Sequence, residues 1–527
     1  MNEEFELVAK TFQGLEDVLA KELTELGAND IQIGRRMVSF TGNKAMMYKA
    51  NFCLRTAIRV LKPIKHFKAK SADEVYEAIK AIDWDLYLDP DKTFAVDATV
   101  FSEEFRHSMF VTYKVKDAIA DYFREKTNKR PSVSVTNPGI LLNIHISDDN
   151  CTLSLDSSGE SLHRRGYRQG AVEAPLNEVL AAGLVLMTGW HGECDLIDPM
   201  CGSGTISIEA ALIARNIAPG IFRKNFAFEK WPDFDQNLFD EIYNDDSKER
   251  EFDHHIYGYD NNLQAIAIAT NNAKAAGVNK YITLKLQDFA EFVQPAEKSI
   301  MITNPPYGER ISTDDLLGLY QMIGERLKHQ FVGNEAWIIS YKEECFDAIG
   351  LKPSDRISLY NGALACEFRK YLIFNGKYND FRSEHHERKF KTSSGKLRPH
   401  HLGEKLGDIQ KQERKDSDER QEREEKRERR FDNRREHRPF KEKWGERSLG
   451  DKKERRPFKD RKEERPFRGE RKERPERRRF ADFGDKYEKR TEDKEQNKDF
   501  RVLMSYPQRK KMEREQKLSQ DSDEKKD

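Results

Sequence analysis

From about residue 377 onward the chain offers almost nothing with which to build a core. Residues 381–527 hold 50 Lys plus Arg and 37 Asp plus Glu, which leaves 43 basic and 56 acidic residues before them. Apolar side chains are scarce in this stretch, and what they could bury does not offset the entropy of ordering the backbone. The sequence therefore predicts a disordered, basic tail over 377–527 and an acidic folded body over roughly 1–376, long enough for two or three cores. A formal net charge of +0 conceals that division.

Within the body, residues 5–11 read as a strand. Leu15, Val18, Leu19, Leu23 and Leu26 then recur at helical spacing up to Gly27, a helix stop. Residues 31–40 read as one strand, 44–52 as a helix and 56–64 as a strand, which makes a small α+β unit of 1–66. A second unit, 67–156, combines a helix over 72–82, a strand over 93–101, strands near 141–146 and 152–155, and a helix that presents Val111, Val115, Ala118, Ile119, Tyr122 and Phe123 on one face. A linker over 157–171 follows. The third unit, 172–376, alternates strands at 195–198, 256–260, 282–287, 299–303, 336–340 and 368–374 with helices, which predicts an α/β fold with a mainly parallel sheet covered on both faces. Residues 217–253 interrupt the alternation and read as an insertion lying over the sheet edge.

Two motifs in this third unit carry chemistry. A strand ends at Asp198, and Asp198-Pro199-Met200-Cys201-Gly202-Ser203-Gly204-Thr205 leads into a helix. Ligands bind at this end of such sheets, and Gly202 and Gly204 let the backbone approach one closely. A dinucleotide site wants an acid about 20 positions later; the next strand-end acid is Asp260, far beyond that spacing, so NAD is disfavoured. Asp260, with Asn261 beside it, can accept from both hydroxyls of a ribose, and Asp288 can accept from an adenine amino group with Phe289 against the ring. Each acid could equally cap a helix; taken together, the three strand-end acids favour an adenosine-bearing cofactor.

The second motif is Asn304-Pro305-Pro306-Tyr307-Gly308-Glu309-Arg310. The Asn304 amide oxygen and the Pro305 carbonyl can accept both N–H bonds of an exocyclic amine, Pro305 and Pro306 fix the backbone, and the Tyr307 ring offers a face for a base. That arrangement points to methyl transfer onto a planar nitrogen of a base swung out of its stack. Cys201 lies in the glycine turn and not at this motif, so it reads as a small packed residue and not as a nucleophile.

The linker contains His163-Arg164-Arg165-Gly166-Tyr167-Arg168. This is either a solvated connection or an RNA contact in which Arg164, Arg165 and Arg168 meet phosphates and Tyr167 stacks. In the tail, Arg438-Pro439-Phe440-Lys441, Arg456-Pro457-Phe458-Lys459 and Arg465-Pro466-Phe467-Arg468 repeat irregularly. They suit loose, salt-sensitive RNA attachment or a self-neutralising polyampholyte.

These residues resemble the class I S-adenosylmethionine-dependent methyltransferases, with Asp198 to Thr205 bordering the donor. The long stretches 156–168, 174–178, 228–234 and 304–310 resemble more closely the THUMP-containing RNA guanine-N2 methyltransferases, especially the half of the bacterial RlmKL family that methylates a guanosine of 23S rRNA. The resemblance implies a ferredoxin-like domain over 1–66, an RNA-binding THUMP domain over 67–156 and a Rossmann-like catalytic domain with an antiparallel last strand. It also implies that Asp198, Pro199, Cys201, Gly202, Gly204 and Thr205 form the donor loop, that Asp260 with Asn261 meets the ribose, that Asp288 with Phe289 meets the adenine, and that Asn304 to Tyr307 are catalytic. The rival functions are a tRNA guanine-N2 enzyme of the same architecture, a protein glutamine or DNA adenine methyltransferase, and a ribosome assembly factor without turnover.

No CxxC pair and no histidine spacing suited to a metal occurs, so no metal is expected. The six cysteines suit free thiols in a cytoplasmic protein. The start, Met1-Asn2-Glu3-Glu4, lacks an apolar signal core and no 18-residue apolar run exists, so a membrane partner is not expected.

Overall fold

The computed structural model describes residues 3–105, 107–307 and 313–374. The tail expected over 377–527 lies outside the described residues, as do Gly308, Glu309 and Arg310 of the second motif.

The N-terminal half is built on one sheet. Its elements are β1 (Phe5–Lys10), α1 (Glu16–Leu26), β2 (Asn29–Gly34), β3 (Met37–Gly42), α2 (Lys44–Cys53), β4 (Arg59–Lys68), α3 (Ala72–Lys80), β5 (Thr93–Phe101), α4 (Ser108–Thr127), β6 (Ser132–Val133), β7 (Ile140–Ser147) and β8 (Asn150–Asp156). The strand order is β2-β3-β1-β4-β8-β7-β5-β6. Two expectations change here. Residues 31–40 do not form one strand: Gly34-Arg35-Arg36 turns, with Arg36 at φ 58°, and makes a hairpin of β2 and β3. The boundary drawn at 66–67 falls inside β4, which pairs with β1 on one side and β8 on the other, so the first two units share a sheet.

The C-terminal half contains α5 (Glu178–Met187), β9 (Asp195–Asp198), α6 (Thr205–Ala214), α7 (Gln236–Asn244), β10 (Ile256–Asp260), α8 (Leu263–Ala275), β11 (Ile282–Leu286), β12 (Ser299–Thr303), α9 (Thr313–Gln330), β13 (Glu335–Ser340), α10 (Glu343–Ile349), β14 (Asp355–Asn361) and β15 (Leu364–Leu372). Its order is β11-β10-β9-β12-β13-β15-β14, parallel from β11 to β13, with β15 antiparallel to both neighbours. Strand β14 was missed in the sequence, although Asn361-Gly362, with Gly362 at φ 62°, is a strong hairpin turn signal. The sheet is covered on both faces, as a parallel sheet requires. Leu196, Ile300 and Ile302 join a core with α5 and α6, while Ile197, Met301 and Ile338 join another with Tyr320, Ile323 and Leu327 of α9.

The insertion does not drape over the sheet edge. It clamps the N-terminal half: Phe228 stacks on Tyr48 of α2 at 4.4 Å, Phe239 meets Phe52 edge-on at 6.3 Å, and Lys44 pairs with Asp233 at 3.1 Å. Phe226, Phe228, Phe234, Phe239 and Tyr243 give the insertion more apolar surface to bury than a surface loop carries, and Tyr48 and Phe52 of α2 supply the other side.

Candidate active site

Register explains why four polar residues far apart in sequence share one edge. Asp198 lies opposite Gly258, two residues before Asp260; Asp260 lies opposite Leu286, two residues before Asp288. Met301 lies opposite Ile197, which puts Ile302 level with Asp198 and Asn304 two residues beyond it, about 7 Å further along. The chain leaves β9 toward β10 on one side and adds β12 on the other, so the loops after β9 and β12 flank the point where strand order reverses. Open α/β sheets bind ligands there.

The loop after β9 is held by its neighbours. Asp260 accepts from the Gly202 amide through Oδ2 and from the Asn262 amide through Oδ1, both at 2.9 Å, and the Cys201 amide donates to the Tyr259 carbonyl at 2.8 Å. Gly202 and Gly204 have φ of 52° and 78°, and a Cβ on Gly204 would stand 3.0 Å from the Ala269 methyl, so a side chain is excluded twice over. Pro199, Cys201 and Thr205 are buried, and burial, with Asp198 and Asp260 nearby, raises the Cys201 thiol well above its ordinary range. It is a packed residue. Asn261 is exposed beside Asn262, which caps α8.

Asp198 is 1% exposed and its Oδ1 has no hydrogen-bond partner among the described residues. Burial, with Asp260 adding repulsion, pushes its carboxyl up to about 8, against the lowering effect of the Met200 amide and of the nearby Thr303 hydroxyl. An arriving cation would favour the ionised form of this carboxyl and draw its proton off. Asp288 is exposed and accepts from the Ala290 amide at 2.8 Å, so it caps a short turn and keeps a second oxygen for a ligand. Phe289 does not present a ring to an adenine here. It is buried against Phe292 and Phe331, its centroid 5.6 and 6.4 Å from theirs.

At the end of β12, Pro305 is buried and Pro306 exposed. Asn304 Oδ1 is buried without a partner among the described residues. Tyr307 departs from the stacking platform expected of it. The ring is 8% exposed, edge-on to Tyr341 at 5.5 Å, and Asn361 Nδ2 donates to its hydroxyl at 2.7 Å. Burial raises that phenol to about 12. A base can stack on Tyr307 only once the ring leaves this packing, which Tyr341 after β13 and Asn361 of β14 provide.

The chain matches three family descriptions in succession: an RlmL ferredoxin-like domain over residues 6–61, a THUMP domain over 69–156 and an RMKL-like methyltransferase domain over 165–370. It is 41% identical over 370 residues to a candidate RNA methyltransferase, slr0064, of Synechocystis sp., a match that takes in 69% of this chain and 96% of that protein. The chain belongs to the RlmL-type, THUMP-containing RNA methyltransferases.

As a member of that family it is an S-adenosylmethionine-dependent enzyme acting on RNA. It is 39% identical over 380 residues to the ribosomal RNA large subunit methyltransferase K/L of Syntrophotalea carbinolica, covering 69% of this chain and 53% of that one; the chain spans about half the length of this relative. SMU.472, a candidate methyltransferase solved in complex with SAH, superposes with a TM-score of 0.65 at 30% identity over 72% of this chain and all of that one. Among the described residues, no helix is long and apolar enough to cross a membrane, and no cluster of His, Cys, Asp and Glu could hold a metal ion.

The linker cluster corrects the sequence reading most. Arg165 and Tyr167 are each 2% exposed. Arg165 donates to the Leu162 and Arg55 carbonyls and pairs with Glu209 of α6 at 3.5 Å; the Tyr167 hydroxyl donates to Glu209 at 2.9 Å. Arg168 pairs with Glu178 at 2.7 Å. None of these three side chains is free to meet RNA. Arg164, 67% exposed and paired with Glu160, is the most open of the cluster's arginines, with Arg168 18% exposed. In the sequence an internal ion-pair network and a basic RNA contact look the same, because the pairing glutamates lie up to 44 positions away.

Proposed function

We propose that this enzyme methylates the exocyclic N2 of a guanosine in large-subunit (23S) rRNA, in the cytoplasm. The observation that carries the reading is Asn304 Oδ1, a buried acceptor without a partner among the described residues, at the strand end beside the glycine loop. An unsatisfied buried acceptor costs about 1–3 kcal/mol, and an N–H donor arriving with substrate would recover it. Guanine is favoured over other amines by the THUMP domain ahead of the site and by the likeness to the K/L-type rRNA enzymes.

S-adenosylmethionine supplies a methyl group on a positively charged sulfur. The residues that would hold it fit: Asp198 has an oxygen without a partner among the described residues for a cationic group, Asp260, whose two oxygens each accept one backbone amide, keeps further lone pairs for ribose hydroxyls, and Asp288 keeps an oxygen for the adenine amine, around a loop in which Gly204 has a positive φ and little room for a side chain. Asn304 Oδ1 and the Pro305 carbonyl accept the two N–H bonds of the target amine and turn its lone pair toward the methyl. They also stabilise the positive charge that develops on nitrogen. The surplus proton leaves to solvent afterwards.

RNA contact falls to surfaces other than the linker. On α4 of the THUMP domain, Met109, Phe110 and Tyr113 are exposed, with Lys116 Nζ 5.6 Å above the Tyr113 ring and Lys114 Nζ 5.8 Å above that of Phe110. Aromatic rings beside cations suit unpaired bases. The test is mass mapping of modified nucleosides in rRNA and tRNA from cells with and without the gene. One N2-methylguanosine should vanish from 23S rRNA; a loss confined to tRNA would overturn the assignment.

A further inference from the structure

The segment entering the methyltransferase domain runs behind the glycine loop and is stitched to it. Asn272 of α8, 1% exposed, donates through Nδ2 to the carbonyls of Gly170 at 3.0 Å and Ser203 at 3.1 Å, and its Oδ1 accepts from the Gln169 amide at 2.8 Å and the Gly170 amide at 3.2 Å. The Val172 amide donates to Ser203 Oγ at 3.3 Å. Arg168 completes the seam. Its Nη2 donates to Thr205 Oγ1 at 3.1 Å and to the Leu176 carbonyl at 3.0 Å, and its Nε donates to Glu178 Oε1 at 2.7 Å.

Thr205 is the first residue of α6, and the residue that should cap this helix is Gly204, which has no side chain to do so. The loop therefore cannot fix the first turn of α6 with a cap of its own, and Arg168 supplies a side-chain contact from outside. The guanidinium is also a poor choice for stability alone. Its Nη1 is buried without a partner among the described residues, and a buried orphan donor destabilises a fold. A lysine could pair with Glu178, but its ammonium is more strongly hydrated and costs more to bury, and it could not bridge Glu178, the Leu176 carbonyl and Thr205 in one planar fork.

We propose that Arg168 is a positioning residue for methyl transfer, holding the donor loop through Thr205 Oγ1 so that it is preformed for S-adenosylmethionine. The proposal rests on the reading that Asp198 to Thr205 border the donor. Thr205→Val removes the acceptor while keeping the Arg168–Glu178 pair, and Arg168→Lys keeps the charge but loses the fork.

The experiment uses the full chain, with S-adenosylhomocysteine affinity read by calorimetry and steady-state kinetics at varied S-adenosylmethionine. Each variant should weaken affinity and raise the donor KM about tenfold with kcat changed about twofold or less, a split that general loss of structure would not give. Because both variants break the Arg168–Thr205 bond and Arg168→Lys loses the Leu176 contact as well, the double variant should be no weaker than Arg168→Lys alone. Additive losses, or single variants that bind as the parent does, overturn the proposal. Asp260→Ala separates the two layers. If it loses donor affinity while the Arg168 and Thr205 variants do not, positioning alone fails; if it too binds as the parent does, the donor-loop reading fails and takes the proposal with it.

Discussion

The elbow at residues 304–307 and the linker cluster at 164–168 look alike as sequence, each a short run in which polar side chains flank an aromatic. In the folded chain they are opposites. The Arg165 side chain is spent on the Arg55 and Leu162 carbonyls and Glu209, and Tyr167 on Glu209, whereas Asn304 Oδ1 is buried without a donor among the described residues. Buried polar atoms in native proteins are nearly all paired, so an orphan at a sheet's ligand-binding edge is a stronger pointer to substrate than a cluster of charge. The lesson is that the partners of a residue decide its role, and sequence shows residues without partners.

The sharpest way to break this contrast is Asn304→Ala. Turnover should fall by about 10³-fold, as when a single charge-stabilising group is removed from a transition state, while S-adenosylhomocysteine affinity stays within about twofold of the parent. Turnover reduced less than about tenfold would remove Asn304 from the mechanism and make its orphan oxygen an accident of packing. On the other side of the comparison stands Arg165→Met. It leaves the Glu209 carboxylate in a dry interior without its cation, which should cost about 3 kcal/mol or more in denaturant unfolding. RNA affinity of the folded protein should not change. Weakened RNA binding at unaltered stability would restore the cluster to the RNA surface and erase the distinction drawn here.

How much was legible beforehand follows the same line. Strand ends at Asp198, Asp260 and Thr303 were read closely, because each strand is a short apolar run ended by a polar or turn residue, a signal carried within a few positions. The hairpin at Arg36 was missed because only the short Gly34-Arg35-Arg36 break separates two apolar runs, although the alternation shifts from Ile31 and Ile33 to Val38 and Phe40, and β14 because only Ile357 and Leu359 mark its inward side. The site was read where chemistry is local, as in Asp198 to Thr205, and misread where it depends on distant residues. Tyr307 is drawn inward by Asn361, Phe289 by Phe292 and Phe331, and Arg168 by Glu178. Asn272 was overlooked altogether. Its signal was a polar residue on the buried side of a helix rich in alanine and isoleucine, where an amide persists only with work for both its oxygen and its nitrogen.

Asp198 offers the most specific test, because its Oδ1, like that of Asn304, has no partner among the described residues and its acidity can be read without substrate. The carboxyl is raised in the fold from an ordinary value near 3.8 to about 8. Between those values the native state holds a proton that the unfolded chain has released, so its contribution to stability is complete below about pH 4, declines as pH rises and is gone above about pH 8. The slope attributable to this one group is at most about 1.4 kcal/mol per pH unit. Asp198→Asn keeps the shape and removes the titration, so its urea unfolding free energy should fall less steeply than that of the parent from pH 5 to 8, and the two curves should run parallel from pH 8 to 9. Curves parallel throughout would mean that Asp198 is charged in the free enzyme and already has a partner. In that case an unpaired polar atom at this sheet edge would cease to mark where the cationic donor sits, and the inference from Asn304 would lose its closest support.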